Sequence, residues 1–344
     1  MRKYITSPNS NQFSYDGAVK PRLDTANTLV SLGYEKINFS MYGRIETESN
    51  EYKEITKQLD SLKRGDLVIQ QVPSYCSNEF DTYLSRYIIE KGAYSVALVH
   101  DVDTLRGFYP NFDSERIVFN SYDLLVVASD KLKKYLIDSG ITTKIIIRGP
   151  WDYLQNLPYR NHKIINNIYY AGNLSKRKAG FLETFNKNTG LVVTVCGNIN
   201  NSKDYIDTSL VDYLGPVDPN TISFSDGWGL IWDNEEDNSD NYYHTYQEYN
   251  WPAKLSVYLR SGIPVIVSKK AQTYSYIRDN HLGIGIDYIK DIPNVLKELS
   301  EEEKNKISNS CFLVSKKIGN GYYTKQMSED IIKLKGKKTS YFSD

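Results

Sequence analysis

Sulfur is scarce in this chain of 344 residues: three cysteines, Cys76, Cys196 and Cys311, lie far apart and are odd in number. They make neither a disulfide framework nor a CxxC metal motif, and a reducing compartment is the simple expectation. Net charge is also missing, because 42 Lys and Arg balance 42 Asp and Glu. That sum argues against a protein whose main work is gripping nucleic acid, which takes a net basic surface. No apolar run of about 18 residues is present to cross a membrane. The opening MRKYITSPNSNQ has a basic start without the apolar core of a secretory signal, so the expectation is a cytoplasmic chain. Neither GxxxxGK[ST] nor GxGxxG occurs, so the two commonest glycine-rich phosphate loops are excluded. His162, His244 and His281 show no metal-ligand spacing.

What is present is ordinary globular material, 40% hydrophobic and 24% charged, with a length that suggests about two domains. Apolar runs alternate with amphipathic stretches. Strands are expected at Lys3–Ser7, Lys36–Phe39, Leu67–Val72, Ser95–His100, Leu124–Ala128 and Lys144–Ile147. Helices are expected near Leu23–Leu32, Tyr52–Leu62, Glu79–Lys91 and Asp130–Ser139. This alternation predicts a parallel sheet with crossover helices. The stretch Arg148–Asn167, with two prolines, several Asn and no clear period, reads as an interdomain connection, giving a linker over 151–167 after a first domain of residues 1–150. The alternation restarts with strands at Ile168–Ala171, Leu191–Cys196, Gly229–Trp232, Pro264–Val267 and Ile284–Ile286. Helices are expected near Lys176–Asn186, Pro252–Arg260, Ala271–Asn280 and Asp291–Leu299, giving a second domain over 168–318. Glu301–Lys317 and Tyr322–Leu334 read as closing helices around the Gly319–Gly321 break. The lysine-rich end from Lys333 reads as a frayed tail or a weak membrane-surface contact. A cleft between two α/β halves is the expected ligand site.

Four segments carry chemistry. In YYAGNLSKRK, Tyr169–Lys178, a strand ends in a Gly172-Asn173 turn, after which Ser175 opens a helix bearing Lys176, Arg177 and Lys178; backbone N–H groups and cations there suit a phosphate. In GLIWD, followed by EYNWPAKLSVYLRSG, a buried strand ends at Trp232-Asp233, and a helix beginning near Asn250 would put Asn250 and Lys254 on one side of its first turn, facing a diphosphate. The acidic run between them reads as a solvated loop, since it lacks calcium-loop spacing. In HDVD, His100–Asp103, a strand end offers a general base (His100 or Asp101), a DxD metal pair, or a cap at Asp103 or Thr104. The loop after the first strand holds Asp16 and Gly17, where glycine permits close backbone approach. Trp151 either packs at the domain junction or platforms a sugar or base. Tyrosine is in excess, 29 against 11 Phe and 4 Trp; Tyr153, Tyr169 and Tyr249 flank these segments.

The segments LVIQQVPSYCSNEFD, ALVHD, Trp151-Asp152, YYAGN, GLIWD, EYNWPAKLSVYLRSGIPVIV and GYYTKQ resemble the GT-B glycosyltransferases that perform the second glycosylation step on serine-rich-repeat adhesins, and also bacterial galactofuranosyltransferases. The resemblance covers nearly the whole chain. It implies a GT-B fold, two Rossmann-like domains facing a central cleft, with residues 319–344 forming a helix that crosses back to the N-terminal domain and a basic tail. It implies a UDP-sugar donor held by Gly172, Asn173, Lys176, Arg177, Trp232, Asp233, Tyr249, Asn250 and Lys254. It places Asp101, His100 or Asp16 as the base, in that order, and Gly17, Ser74 and Trp151 toward a glycan or glycoprotein acceptor. It implies metal-independent catalysis with no cofactor, and it is compatible with a homo-oligomer, although no heptad seam specifies one. The turn AGNLSKRK is closer to the galactofuranosyltransferase form, and the acidic loop is long. The expected activity is transfer of glucose or N-acetylglucosamine to a protein-bound glycan. The alternatives are galactofuranosyl transfer into exopolysaccharide and a non-catalytic partner subunit of another transferase.

Overall fold

In the computed structural model, which describes residues 1–9, 17–42, 45–46, 49–199, 206–233 and 242–340, the apolar runs become two six-stranded sheets, each parallel throughout. The chain divides into two units, one holding the N-terminal strand, Ala18–Pro150 and the last helix, the other Trp151–Asn320 together with Gly17.

The first unit runs β1 (Lys3–Pro8), α1 (Val19–Val30), β2 (Glu35–Phe39), α2 (Asn50–Lys57), β3 (Leu67–Val72), α3 (Asn78–Glu90), β4 (Tyr94–Val99), α4 (Asp113–Asn120), β5 (Leu124–Val127), α5 (Asp130–Asp138) and β6 (Ile145–Ile147). Its strand order is β2-β1-β3-β4-β5-β6, so the order reverses between β1 and β3. Every residue of β3 and β4 is buried, as parallel strands covered on both faces require. Ser49, Ser77 and Ser129 start α2, α3 and α5, each accepting a backbone N–H from three residues on. Helix α1 begins four residues before the expected Leu23, because Pro21 falls in its first turn, where a missing N–H costs nothing.

The second unit runs β7 (Ile168–Ala171), α6 (Lys176–Ala179), α7 (Phe185–Thr189), β8 (Val193–Cys196), β9 (Val211–Gly215), β10 (Trp228–Ile231), α8 (Tyr242–Tyr246), α9 (Ala253–Ser261), β11 (Val265–Ser268), α10 (Thr273–Asp279), β12 (Gly283–Ile286), α11 (Ile292–Glu298) and α12 (Glu301–Gly319). Its order, β12-β11-β10-β7-β8-β9, is the dinucleotide-fold order read from the other edge, with the reversal between β7 and β10. The helix expected over Lys176–Asn186 is instead broken: α6 has four residues, a tight turn spans Gly180–Glu183, and α7 follows. Strand β9 has no counterpart among the expected strands, because this sheet-edge segment has only Val211 buried.

Residues 151–167 contain neither helix nor strand, yet they pack into the second unit. Trp151, Asp152 and Tyr153 are buried. The Tyr153 hydroxyl donates to the Pro219 carbonyl at 2.6 Å, and Arg260 on α9 donates to the carbonyls of Gln155 and Leu157 at 3.0 and 2.7 Å.

The final helix, α13 (Tyr322–Ser340), belongs to the first unit. Tyr34 and Ser328 share a hydroxyl hydrogen bond of 2.8 Å, and Arg148 donates to Thr324 at 3.2 Å. Gly321 brings α13 against α1: at φ +69° its missing Cβ would stand 2.6 Å from the Thr28 methyl. The lysine-rich stretch expected to fray from Lys333 continues this helix as far as Ser340. Among the described residues no helix is long and apolar enough to cross a membrane.

Gly229, in β10, lies flat against Tyr258 of α9; a Cβ there would sit 2.2 Å from the ring. Gly229→Ala is expected to destabilise the protein by about 1–3 kcal/mol through overpacking, measured by chemical denaturation.

Candidate active site

Open parallel sheets receive ligands where the strand order reverses, beyond the carboxyl ends of the strands. In the second unit that point lies after β7 and β10. The two strands pair only through Trp228–Ile168 and Gly229–Tyr169. The Ala171 N–H then donates to the Tyr258 hydroxyl at 2.8 Å, and that hydroxyl donates to the Tyr169 carbonyl at 3.2 Å. Tyr258 thereby fixes α9 on β7, and with it Lys254, one turn earlier.

The Lys254 Nζ lies 3.2 Å from the Trp232 carbonyl, 3.4 Å from the Tyr170 hydroxyl and 3.5 Å from Asp233 Oδ1, and 4.5 Å from the centroid of the Tyr170 ring. Its side chain is 16% exposed. A cation is therefore held at the ends of β7 and β10 by a carbonyl, a carboxylate and an aromatic face. Beside Ala171, Gly172 has φ +134° and open space where a Cβ would be, and its N–H is spent on the Cys196 carbonyl at 2.9 Å. Asn173 Oδ1 accepts the Ser175 N–H at 2.7 Å and so closes the turn. Lys176 and Arg177 stand exposed on α6.

Three expectations for this region need correction. Asn250 is not on α9: the helix starts at Ala253, with Pro252 extended before it, because a residue preceding proline is pushed out of the helical region. Asn250 sits in the preceding turn, its N–H on the Tyr246 carbonyl at 3.1 Å, and shares no helix face with Lys254. The Trp232 ring is 1% exposed, so what that residue offers Lys254 is its carbonyl. Trp151 is buried, and its carbonyl accepts from Ser256 at 2.7 Å; its ring has no open face for an acceptor. Tyr249 is half-buried in the turn with Asn250. Asn250 Oδ1 and Trp251 Nε1, just ahead of α9, are buried without a hydrogen-bond partner among the described residues, the kind of polar atom that a ligand completes.

A second cluster forms in the first unit after β3 and β4. Gln71 gives its side-chain amide N–H to the Thr6 and Arg22 carbonyls at 2.7 and 3.2 Å, which turns its Oε1 toward His100 Nε2 at 2.8 Å. His100 therefore carries its proton on Nε2. Burial, with Arg22 and Arg148 nearby, holds its pKa well below the ordinary imidazole value, so it stays neutral. Asp101 Oδ2 accepts from the Tyr75 hydroxyl at 3.0 Å. Arg106 Nη1 donates to that hydroxyl at 3.0 Å and to Asp103 Oδ1 at 2.9 Å, and lies 3.5 Å from Asp101 Oδ2.

Asp103 does not cap the turn it precedes, Thr104–Arg106. Glu115 of α4 does so, accepting the N–H groups of Asp103 and Thr104 at 2.7 and 2.8 Å. Burial pushes Asp103 up to about 7 and raises Glu115 as well. The Asp101–Asp103 pair meets an arginine, and among the described residues no cluster of His, Cys, Asp and Glu fits a metal ion. Ser74, expected toward an acceptor, is buried; its N–H donates to Asp81 at 3.0 Å and its hydroxyl accepts from Cys76 N–H at 3.2 Å. Gly17 lies ahead of α1, with open space where a Cβ would be. Asp16 and the acidic run after Asp233 lie outside the described residues. Tyr75, Arg106, Glu115, Tyr170 and Tyr258 were not singled out as site residues. Tyr75 lies inside the quoted LVIQQVPSYCSNEFD segment, whereas Glu115 gives no local signal.

The Glucosyltransferase 3-like N-terminal domain matches residues 2–150 and the Glucosyltransferase 3-like C-terminal domain residues 168–331. Glucosyltransferase 3 of Streptococcus gordonii is 26% identical over 318 residues, 90% of this chain and 92% of its own. The beta-1,6-galactofuranosyltransferase WbbI of Escherichia coli K12 is 26% identical over 328 residues, 92% of this chain and 94% of its own. Among solved structures, Anabaena HepE in complex with UDP aligns with a TM-score of 0.59 and 12% identity over 97% of this chain and 100% of that one, a likeness of fold. The fold is that of the GT-B glycosyltransferases, two parallel-sheet α/β domains.

Because the folded pKa of Asp103 lies above the ordinary carboxylate value of about 3.9, its contribution to stability is complete below pH ~4 and is lost as pH rises through about 7. Glu115 acts in the same sense. Asp103→Asn is expected to flatten the decline of unfolding free energy between about pH 4 and 7, read from denaturant titrations at a series of pH values.

Proposed function

Because the chain belongs to the Glucosyltransferase 3-like family, we propose that it transfers a hexose, glucose or N-acetylglucosamine, from a UDP-sugar to a glycan carried by a glycoprotein such as a serine-rich-repeat adhesin. The observation that carries this reading is Lys254, a largely shielded cation at the strand-order reversal of a dinucleotide-type sheet, beside the open Gly172-Asn173 turn. The bond to the sugar breaks with negative charge building on the diphosphate, and a fixed cation in a shielded site stabilises that charge. Lys254 supplies it, with Lys176 and Arg177 at the rim. A divalent metal is then not needed for the leaving group. Asn250 Oδ1 and Trp251 Nε1 complete their hydrogen bonds on the donor. Asp101 is the base that takes the acceptor hydroxyl's proton. Neutral His100, with Nε2–H fixed on Gln71, stands beside it and polarises the same end of β4. Gly17 remains on the acceptor side; Ser74 and Trp151, both buried, leave it. A UDP-sugar donor suits a cytoplasmic site of action.

A second reading, galactofuranosyl transfer into a surface polysaccharide, is favoured by the 26% identity to WbbI over nearly the full length of both chains.

Incubation with UDP-hexoses is expected to release UDP, and UDP is expected to raise the melting temperature. The absence of both would overturn the reading. Competition between UDP-glucose and UDP-galactofuranose separates the two donors. Lys254→Ala should weaken UDP binding about ten- to a hundred-fold, the worth of a hydrogen bond to a charged group, measured by calorimetry.

A further inference from the structure

We propose that Tyr75 and Arg106 are positioning residues that hold Asp101 ionised and aimed as the base of the transfer reaction, a role that rests on the glycosyltransferase reading above. The hydrogen bonds have a direction. Arg106 Nη1 donates to the Tyr75 oxygen at 3.0 Å, and the Tyr75 hydroxyl donates to Asp101 Oδ2 at 3.0 Å. A phenol that accepts a hydrogen bond from a guanidinium is a better donor to the next acceptor, and a donor to the ionised carboxylate favours its charged form. Arg106 also acts on Asp101 by charge from 3.5 Å.

The phenol is held from three sides. Its backbone has φ +61°, a conformation that a bulky residue adopts only where the surroundings enforce it. One face of the ring stacks on Tyr42 at 5.2 Å with 21° between the planes. The Arg22 guanidinium lies 5.0 Å from the ring centroid and is itself tied to the Ala18 and Pro73 carbonyls at 2.9 and 3.0 Å. Such outlay on one tyrosine has a reason if its hydroxyl must meet Asp101 in one geometry.

In the reaction the acceptor hydroxyl gives its proton to the Asp101 carboxylate. Its oxygen bonds to the anomeric carbon, and the bond from that carbon to the diphosphate breaks, its electron pair leaving on UDP. Tyr75 and Arg106 touch neither sugar and change no covalent bond. Asp101 is faced by Tyr75 from the loop after β3, by Arg106 and Asp103 from its own loop and by Glu115 from α4, with Arg22 of α1 behind the tyrosine. The carboxylates work against its ionisation and the arginines work for it.

The test is Tyr75→Phe, which keeps the stacked ring and deletes the donor, with Arg106→Gln as a second variant should the first fail to fold. In protein carrying ¹³C-carboxyl aspartate, the Asp101 titration should move upward by about one pH unit in either variant, because Tyr75→Phe removes a hydrogen bond to the charged form and Arg106→Gln removes a positive charge 3.5 Å from it. The acidic limb of the kcat/KM profile should move with it. At neutral pH kcat should fall about ten-fold, a fraction of what a general base contributes, while KM for the UDP-sugar stays unchanged. An Asp101 titration and acidic limb that coincide with those of the wild type overturn the relay even if kcat falls. A wild type that turns over no UDP-sugar overturns the glycosyltransferase reading and the base role with it, whatever the titration shows.

Discussion

One phenolic oxygen stands between two strands that have stopped pairing. Where the strand order of the second sheet reverses, β10 leaves β7 after Gly229–Tyr169, so the Tyr169 carbonyl and the Ala171 N–H lose their ladder partner. The Tyr258 hydroxyl meets both, donating to one and accepting from the other. A buried backbone group left unmet costs more than a hydrogen bond returns, so this contact sets where α9 must lie. Gly229 concedes the volume of the ring. Lys254 is one turn up the same helix, and its distances to Trp232, Asp233 and Tyr170 follow from that placement. The parting of strands that makes room for a ligand is thus also what orients the cation that would meet it.

The two units solve opposite electrostatic problems with the same architecture. At the ends of β7 and β10 a cation is held by a carbonyl, a carboxylate and a ring face. Beyond β3 and β4, two carboxylates, Asp101 and Asp103, meet one arginine while Glu115 takes the backbone N–H groups of the same loop, and burial drives Asp103 and Glu115 toward the protonated form. The overall charge of zero conceals both arrangements, since composition adds what the fold separates.

Much of this was legible in the sequence because parallel strands announce themselves locally. LVIQQV and SVALV are buried throughout, and eleven of the twelve strands among the described residues coincide with apolar runs. The twelfth, β9, buries only Val211 and has no such run. The Gly172-Asn173 turn and the GLIWD end were visible as strand–turn signals. A helix start near Asn250, with Pro252 in the first turn, does not occur, because Trp251 precedes a proline and Pro252 itself is extended, so α9 opens only at Ala253. What was not legible is contact between distant residues. Glu115 reaches the turn after β4 from α4, and Tyr258 reaches Ala171 from 87 residues away. No local pattern encodes such meetings; topology does. The surplus of tyrosine, 29 in all, gains a partial account here. Tyr75, Tyr153, Tyr169, Tyr170 and Tyr258 each use an apolar ring for packing and a hydroxyl to meet a polar group.

The helix α13 packs beside α1 in the first unit, with Tyr34, Arg148 and Thr28 as its receiving surface. That surface is made early in synthesis and its cover last, after the whole second unit has left the ribosome. Until then the buried Arg148 and Tyr34 lack those partners, and the first unit is an unfinished fold. Its completion is a late, long-range event, which couples the folding of the N-terminal half to a helix made after the second unit.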